Sequence, residues 1–173
     1  MARACLNKLS GSIRQGCTIT QNGIKNIYLM YPEDVTLSLD SNTGHVAYVS
    51  FAEAAKSYLV EGYKQNIQLT TAARTTDASL RLGYSLMFKI PRGSTLPLRA
   101  FSAGRFFVMV EYLSGFAILL GRTCPLECSA IESDSNAAGG MFTITLTAPE
   151  GSPGDYQFEM SETAKNTIIL KSV

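Results

Sequence analysis

The sequence predicts an all-β protein, an antiparallel β-sandwich or barrel of about eight to nine strands with one short helix and a long projecting hairpin. Short segments of strand composition recur along the chain and are separated by turn residues. From Leu80 to Ile90 every second residue is a large apolar one, which is the period of a half-buried strand and not of a helix. Only Leu96–Ala103 has the composition of a short helix.

The chain begins with an arm, residues 1–22, that is rich in Ser, Gly, Asn and Thr and has little periodicity. The continuous apolar run Asn26–Tyr31 predicts a buried strand. Val35–Leu39 alternates, and His45–Phe51 has strand composition after the turn residues Asp40–Gly44. These three segments predict an antiparallel meander.

Two longer segments predict the projecting hairpin. They are Tyr58–Arg74 and Leu80–Ile90, and the polar tip Thr75–Ser79 separates them. We expect them to pair with each other and to carry the tip beyond the body of the domain.

The next segments predict a helix and a second hairpin. After the short helix at Leu96–Ala103, Arg105–Leu113 and Phe116–Leu120 have the composition of buried strands. The two residues between them, Ser114–Gly115, predict a tight two-residue loop.

The carboxy-terminal part is expected to contain fewer strands. The section that holds the last two cysteines and ends at Gly140 is predicted as a loop, and Met141–Thr147 as a strand with one wetter face. The chain from Pro149 is predicted as a linker, with Asn166–Ser172 as a possible last strand. The predicted organisation is an amino-terminal arm at 1–22, a β-domain at 23–148 and a carboxy-terminal extension at 149–173.

Composition excludes several classes of protein. The chain has 173 residues, enough for one domain, and it is 46% apolar but only 17% charged, against about 25% charged in typical soluble proteins. The net charge of +1 disfavours strong binding to nucleic acid or to acidic membranes. No apolar run has the length of a membrane helix, and the first residues lack the apolar core of a signal peptide. We therefore expect no membrane association.

The residues offer no catalytic arrangement. His45 is the single histidine, no Gly-x-Ser-x-Gly motif accompanies it, and the carboxylates are dispersed. We predict that the protein is not an enzyme and that it has no catalytic residue, no cofactor and no small-molecule substrate. A nucleic-acid surface would need aromatic residues beside basic ones, and the candidates are Tyr58, Tyr63 and Lys64, or Arg105–Phe107. We interpret both sets as core aromatics with flanking surface charges.

The four cysteines do not predict a metal site. Cys5 and Cys17 are far apart in sequence, whereas Cys124 and Cys128 are close. We expect free thiols and no metal, although the sequence leaves pairing of the cysteines open.

The order of the segments resembles a known family. Its landmarks in this chain are the arm that holds Cys17, Gly23–Thr36, Gly83–Ile90, Phe107–Gly121 and Gly140–Ala148. In this order they resemble the tail-tube-like β-barrel proteins of tailed bacteriophages, in the form found in phages and prophages of Bacteroidetes, including crAss-like phages. Two features depart from the pattern: a Cys-x3-Cys between Gly121 and Gly140, and the length of the tail.

The resemblance implies a structural virion protein whose subunits close edge to edge into a ring or tube that forms part of the DNA-ejection conduit. Its implied partners are other copies of itself and adjacent portal, tail or hub proteins, and double-stranded DNA passes without specific binding. It is then a virion protein of the phage tail, assembled in the bacterial host cytoplasm. A stacked tube subunit and a single ring, hub or adaptor both remain open.

The hairpin tip, the amino-terminal arm and the carboxy-terminal segment are the predicted subunit contacts, because an uncovered sheet edge invites pairing with a neighbour. The predicted interface residues are Arg74, Thr75, Thr76, Asp77, Ala78, Ser79, Ile168, Ile169 and Leu170. The alternative hypothesis is a small non-catalytic β-barrel binding module, for an apolar ligand or for a receptor at the tail tip. A defined pocket or an exposed aromatic patch favours that alternative, because ring assembly predicts neither.

Overall fold

The computed structural model describes residues 23–62, 66–76, 79–91, 96–133, 141–149 and 157–173. They form a mostly β structure with a nine-stranded antiparallel sheet, a two-stranded sheet and two short helices. The all-β prediction is thus confirmed at the level of class. No closed barrel is found among the described residues, and there are more strands and helices than predicted.

The elements follow in chain order. The strands are β1 Ile24–Met30, β2 Val35–Leu39, β3 Val46–Phe51, β4 Tyr58–Glu61, β5 Ile67–Thr76, β6 Ser79–Pro91, β7 Arg105–Tyr112, β8 Ala117–Leu120, β9 Leu126–Ser133, β10 Met141–Thr147 and β11 Phe158–Glu159. The helices are α1 Leu96–Ala103 and α2 Glu162–Leu170, and a single 3-10 turn spans Pro32–Asp34.

Strand β7 joins the two halves of the large sheet. On one edge it pairs with β1, whose other neighbour is β4. On the other edge, Val108–Glu111 of β7 pair with β8, and Arg105 and Phe106 of β7 pair with β9. One wing therefore runs β11-β8-β7-β1-β4, and the other runs β7-β9-β10-β6-β5.

Two hydrophobic cores lie on opposite faces of β1, β7 and β8. The first core lies between the two wings, with Ile27, Phe88, Val108 and Ile144 among its members. The second core lies behind the first wing, where the β2-β3 ribbon and α2 cover Met109 and its neighbours. Because the central strands are buried on both faces, they are continuous apolar runs without alternation.

The predicted meander is wrong. β2 and β3 form a separate ribbon, while β1 pairs with β4 and β7. The physical reason is that β1 is buried on both faces, so it takes a central place in the large sheet.

The segment Tyr58–Arg74 is two strands and not one. β4 ends at Glu61 and β5 begins at Ile67, and the backbone N–H of Gly62, just after β4, donates to the Lys25 carbonyl at 2.8 Å. A Cβ at Gly62 would lie 2.2 Å from that same carbonyl oxygen, so only glycine fits this approach.

The β7-β8 hairpin is confirmed, but its loop is longer than predicted. Residues 113–116 separate the two strands, and the Tyr112 N–H donates to the Phe116 carbonyl at 2.8 Å. Within this loop Gly115 has φ of +85°, and its N–H donates to the Tyr112 carbonyl at 2.9 Å. This is a turn followed by a left-handed residue, a common alternative to the two-residue loop.

The predicted loop around Cys128 contains strand β9. Leu126, Cys128 and Ala130 alternate with Glu127 and Ser129, and β9 pairs with both β7 and β10. Thr145 pairs with Ala130, but the next residue, Leu146, pairs with Cys128, so the register of β9 against β10 shifts at this point. The shift places Cys128 and Ala130 on different faces of the sheet, and the strand is therefore hard to predict from the sequence alternation.

The predicted last strand at Asn166–Ser172 is wrong, because Glu162–Leu170 is a helix. The Ser161 hydroxyl caps its amino end by accepting from the Ala164 N–H at 3.1 Å. Ala164 and Ile168, four residues apart, lie on the same buried face. The helical spacing of the buried residues and the cap thus outweigh the preference of the β-branched residues Ile168 and Ile169 for a strand.

Candidate functional site

The predicted long hairpin is present as β5 and β6. Its inner part, up to Thr70↔Ser85, lies beside β10, because β10 pairs with β6 from Ser85 to Pro91. The pair Thr71↔Tyr84 follows, and the outer part then consists of five register pairs, from Ala72↔Gly83 to Thr76↔Ser79. Among the described strands these residues pair only with one another. We call this part the outer hairpin.

The outer hairpin has little core of its own. Ala72, Ala73 and Gly83 are exposed, and Leu82 is its one described side chain that packs against the first core. The predicted interface residues Arg74, Thr75, Thr76 and Ser79 lie in its strands. Asp77 and Ala78 lie outside the described residues.

The carboxy-terminal residues predicted as subunit contacts differ in their accessibility. Ile168 is completely buried in the second core, Ile169 is partly buried against it, and Leu170 is 85% exposed. The end of the chain is held in place, because the Val173 N–H donates to the Ser57 carbonyl at 3.1 Å. The subunit interface stays a prediction, and Leu170 is its accessible member in this segment.

A cleft of about 550 Å³ opens at one end of the first core. This volume is within the usual range of small-molecule sites. Its walls come from the end of β1, from β4, from the end of β6, from α1 and from the start of β7. The lining residues are Leu29, Tyr31, Tyr58, Leu59, Val60, Ile90, Pro91, Ala100, Phe101 and Phe106. We call it the aromatic cleft.

The aromatic rings of the cleft contact one another in a row. Tyr31 lies edge-on to Tyr58, with 5.9 Å between ring centroids, and it lies 5.3 Å from Phe106. Phe106 lies 5.6 Å from Phe101, which in turn contacts Phe88 behind the wall at 5.5 Å. Such contacts stabilise a fixed arrangement of rings, so the cleft is preformed.

The two tyrosines supply hydroxyl groups to an otherwise apolar lining. Tyr31 is half-buried, and Tyr58 is 45% exposed. Burial raises the pKa of Tyr31, and the neighbouring Tyr58, Glu33 and Asp34 raise it further. The hydroxyl of Tyr31 is therefore neutral near pH 7, and the carboxylates of the 3-10 turn give its surroundings a negative potential.

A buried carboxylate lies away from the cleft, between β1 and β7. Glu111 is 5% exposed, and it accepts from the Lys25 ammonium at 3.0 Å and from the Tyr28 hydroxyl at 3.4 Å. The hydrogen bond and charge of Glu111 raise the pKa of Lys25. Glu111 is satisfied within the chain, so this cluster is structural.

An enzymatic hypothesis would rest on His45 and the cysteines. His45 Nε2 lies 3.4 Å from a Glu159 carboxylate oxygen, and both side chains are about half exposed. Cys124 and Cys128 are free, and burial raises the pKa of the Cys128 thiol. Within the described ranges, no group of three or more His, Cys, Asp or Glu could hold a metal ion. Cys5 and Cys17 lie outside those ranges.

The aromatic cleft was not predicted from the sequence. Phe106 and Phe107 are core residues as predicted, in the first and second core respectively, but Tyr58 is not. The available signal was the position of aromatics at strand ends, since Tyr31 follows β1 while Tyr58 and Phe106 begin or nearly begin β4 and β7. Their proximity depends on strand pairings that the sequence does not specify.

Comparisons with protein-family models, with curated proteins and with solved structures find no match for this chain. No helix in the described part of the chain is long and apolar enough to cross a membrane.

Proposed function

We propose that the protein is a non-catalytic structural subunit of a tailed-bacteriophage virion, which assembles as a tail-tube-like ring or tube in the DNA-ejection conduit. The outer hairpin is the observation that carries the proposal. The order of sequence landmarks, which resembles the tail-tube-like proteins, supports it. In this role the protein contacts its own copies and adjacent portal, tail or hub proteins, and DNA passes without specific binding, for which the net charge of +1 is suitable.

The physical argument rests on uncovered edges. A two-stranded ribbon is only marginally stable in water, and the outer hairpin has no further described strand beside it. Its exposed residues Ala72, Ala73 and Gly83 are small and uncharged. Pairing with a neighbouring subunit would satisfy the backbone groups of the outer hairpin that no described strand pairs, and it would bury this surface.

Removing the tip of the hairpin is expected to abolish assembly. In the variant, residues 74–81 are replaced by Asn-Gly, so that Ala73 and Leu82, which face each other in register, flank a two-residue turn. The deletion keeps Leu82 and the inner hairpin in the first core. We expect the wild-type protein to form rings or tubes, and the variant to remain a folded monomer, in light scattering and negative-stain microscopy over a concentration series.

A second loop replacement serves as a control. Replacing Ser41–Gly44, between β2 and β3, by Asn-Gly introduces the same turn elsewhere and should leave assembly unchanged. Rings formed equally well by the tip variant would refute the role of the hairpin. A wild-type protein that stays monomeric at every concentration would refute self-assembly itself.

The aromatic cleft favours a second candidate function, a non-catalytic binding module for an apolar ligand. A ring or tube subunit does not require such a cavity, whereas a binding module does. The cleft is apolar, preformed and of suitable volume.

Binding of the neutral fluorescent probe phenylnaphthylamine tests this candidate. We expect saturable binding to the wild-type protein and its loss in Ala100→Trp, because Ala100 is an exposed helix residue in the cleft wall and a bulky ring there fills the space. Tyr58→Ser should weaken binding without filling the cleft. Tyr48→Ser is the matched control, since Tyr48 is 66% exposed on β3 and is not in the lining. Equal binding to wild type and Ala100→Trp would contradict the assignment.

A further inference from the structure

We infer that the aromatic cleft takes an uncharged ligand with a planar or acyl apolar body and a hydrogen-bonding group at one end, and that its acidic rim excludes anions of the same shape. The inference rests on the second candidate function and defines the class of ligand for that site. It is independent of assembly through the outer hairpin.

The lining determines the body of the ligand. The described residues that line the cleft are aliphatic or aromatic, and none of them is charged. A buried charge on the ligand would therefore lose its hydration without gaining an ion pair. The rings of Tyr31, Phe101 and Phe106 present faces and edges at which planar or chain-like apolar groups pack well.

The tyrosine hydroxyls determine the polar end. Tyr58 is partly exposed at the cleft, and its ring contacts Tyr31 edge-on. A neutral phenol both donates and accepts a hydrogen bond, so a hydroxyl, carbonyl or amide on the ligand finds a partner at this position. A carboxylate finds a donor there too, and the choice between neutral and anionic ligands therefore depends on the rim.

The rim is acidic on the side of Tyr31. The 3-10 turn Pro32–Asp34 directly follows Tyr31, which lines the cleft, and the Asp34 N–H closes this turn by donating to the Tyr31 carbonyl at 3.1 Å. The carboxylates of Glu33 and Asp34 both raise the pKa of Tyr31, because their negative charge disfavours a further negative charge at its hydroxyl. Arg99, next to Ala100 on α1, is exposed, and its charge does not contribute to the pKa shift of Tyr31.

Two probes that share one ring system test the inference. Phenylnaphthylamine is neutral, and anilinonaphthalene sulfonate carries the same rings with an added sulfonate. We expect the neutral probe to bind the wild-type protein more tightly, by roughly two- to fivefold as judged from the strength of exposed charge interactions. The double substitution Glu33→Gln and Asp34→Asn should remove this preference by strengthening sulfonate binding, while the affinity for the neutral probe stays the same.

The substituted side chains keep their shape, and the Asp34 backbone bonds to Tyr31 and Ala52 remain available, so the fold should persist. Circular dichroism checks this. If the sulfonated probe binds the wild-type protein as tightly as the neutral one, or if the double substitution leaves the ratio unchanged, the ligand class is wrong although the cleft still binds. If neither probe binds at the cleft, both the ligand class and the binding-module function are wrong.

Discussion

Replacing Ile168 by Ala should lower the free energy of unfolding by about 2–5 kcal/mol. Ile168 is fully buried on the inner face of α2, where it closes the second core over β1, β7 and β8. Truncation removes apolar contacts and leaves a cavity that the surrounding strands fill only partly. Urea denaturation followed by circular dichroism measures the change.

Leu170→Ala is the matched control on the same helix. Leu170 is 85% exposed, so its truncation should change the free energy of unfolding by less than about 0.5 kcal/mol. Equal effects of the two substitutions would mean that α2 does not pack as described. The same control also probes assembly, because a loss of rings in Leu170→Ala with unchanged stability would support the predicted contact at this residue.

Local sequence patterns predicted the elements that depend on local physics. The alternation along Leu80–Ile90 corresponds to strand β6, and the helix at Leu96–Ala103 was predicted with its observed bounds. The β7-β8 hairpin and the β5-β6 hairpin were also predicted, because each pairs two segments that are neighbours in the sequence.

The errors lie where distant parts of the chain decide the structure. β1 is not part of the expected meander, because it pairs with β7, which lies far along the sequence. The segment around Ile168 is helical because the second core accepts a face with Ala164 and Ile168 four residues apart, and Ser161 provides the cap. The local preference of the Ile-Ile pair for a strand is weaker than these tertiary effects.

The two candidate sites differ in the same way, because one depends on a local sequence pattern and the other on pairing between distant strands. The hairpin tip could be chosen from sequence, because an outer strand pair with a polar tip is visible as alternation followed by turn residues. The aromatic cleft could not, because Tyr31, Tyr58 and Phe106 belong to three strands that meet only after β1 has paired with both β4 and β7. The hairpin tip and the cleft are formed by different residues, so substitutions can separate their functions.

Phe88→Ala should cost about 3–5 kcal/mol in the free energy of unfolding, comparable to or larger than the effect at Ile168. Phe88 is fully buried at the centre of β6, where Ile67 and Ile144 face it from the strands on either side. Its ring also contacts Phe101 at 5.5 Å. The substitution therefore removes a large apolar side chain and one aromatic pair from the first core.

The effect should extend to the aromatic cleft, although Phe88 does not line it. Phe101 forms part of the cleft wall, and Phe88 supports that ring from behind. We expect the folded fraction of Phe88→Ala to bind phenylnaphthylamine more weakly, because Phe101 is free to move into the vacated space. Met87→Ala is the matched control, since Met87 is 38% exposed on the opposite face of β6. A stable Phe88→Ala variant with unchanged probe affinity would show that the first core and the cleft wall are mechanically independent.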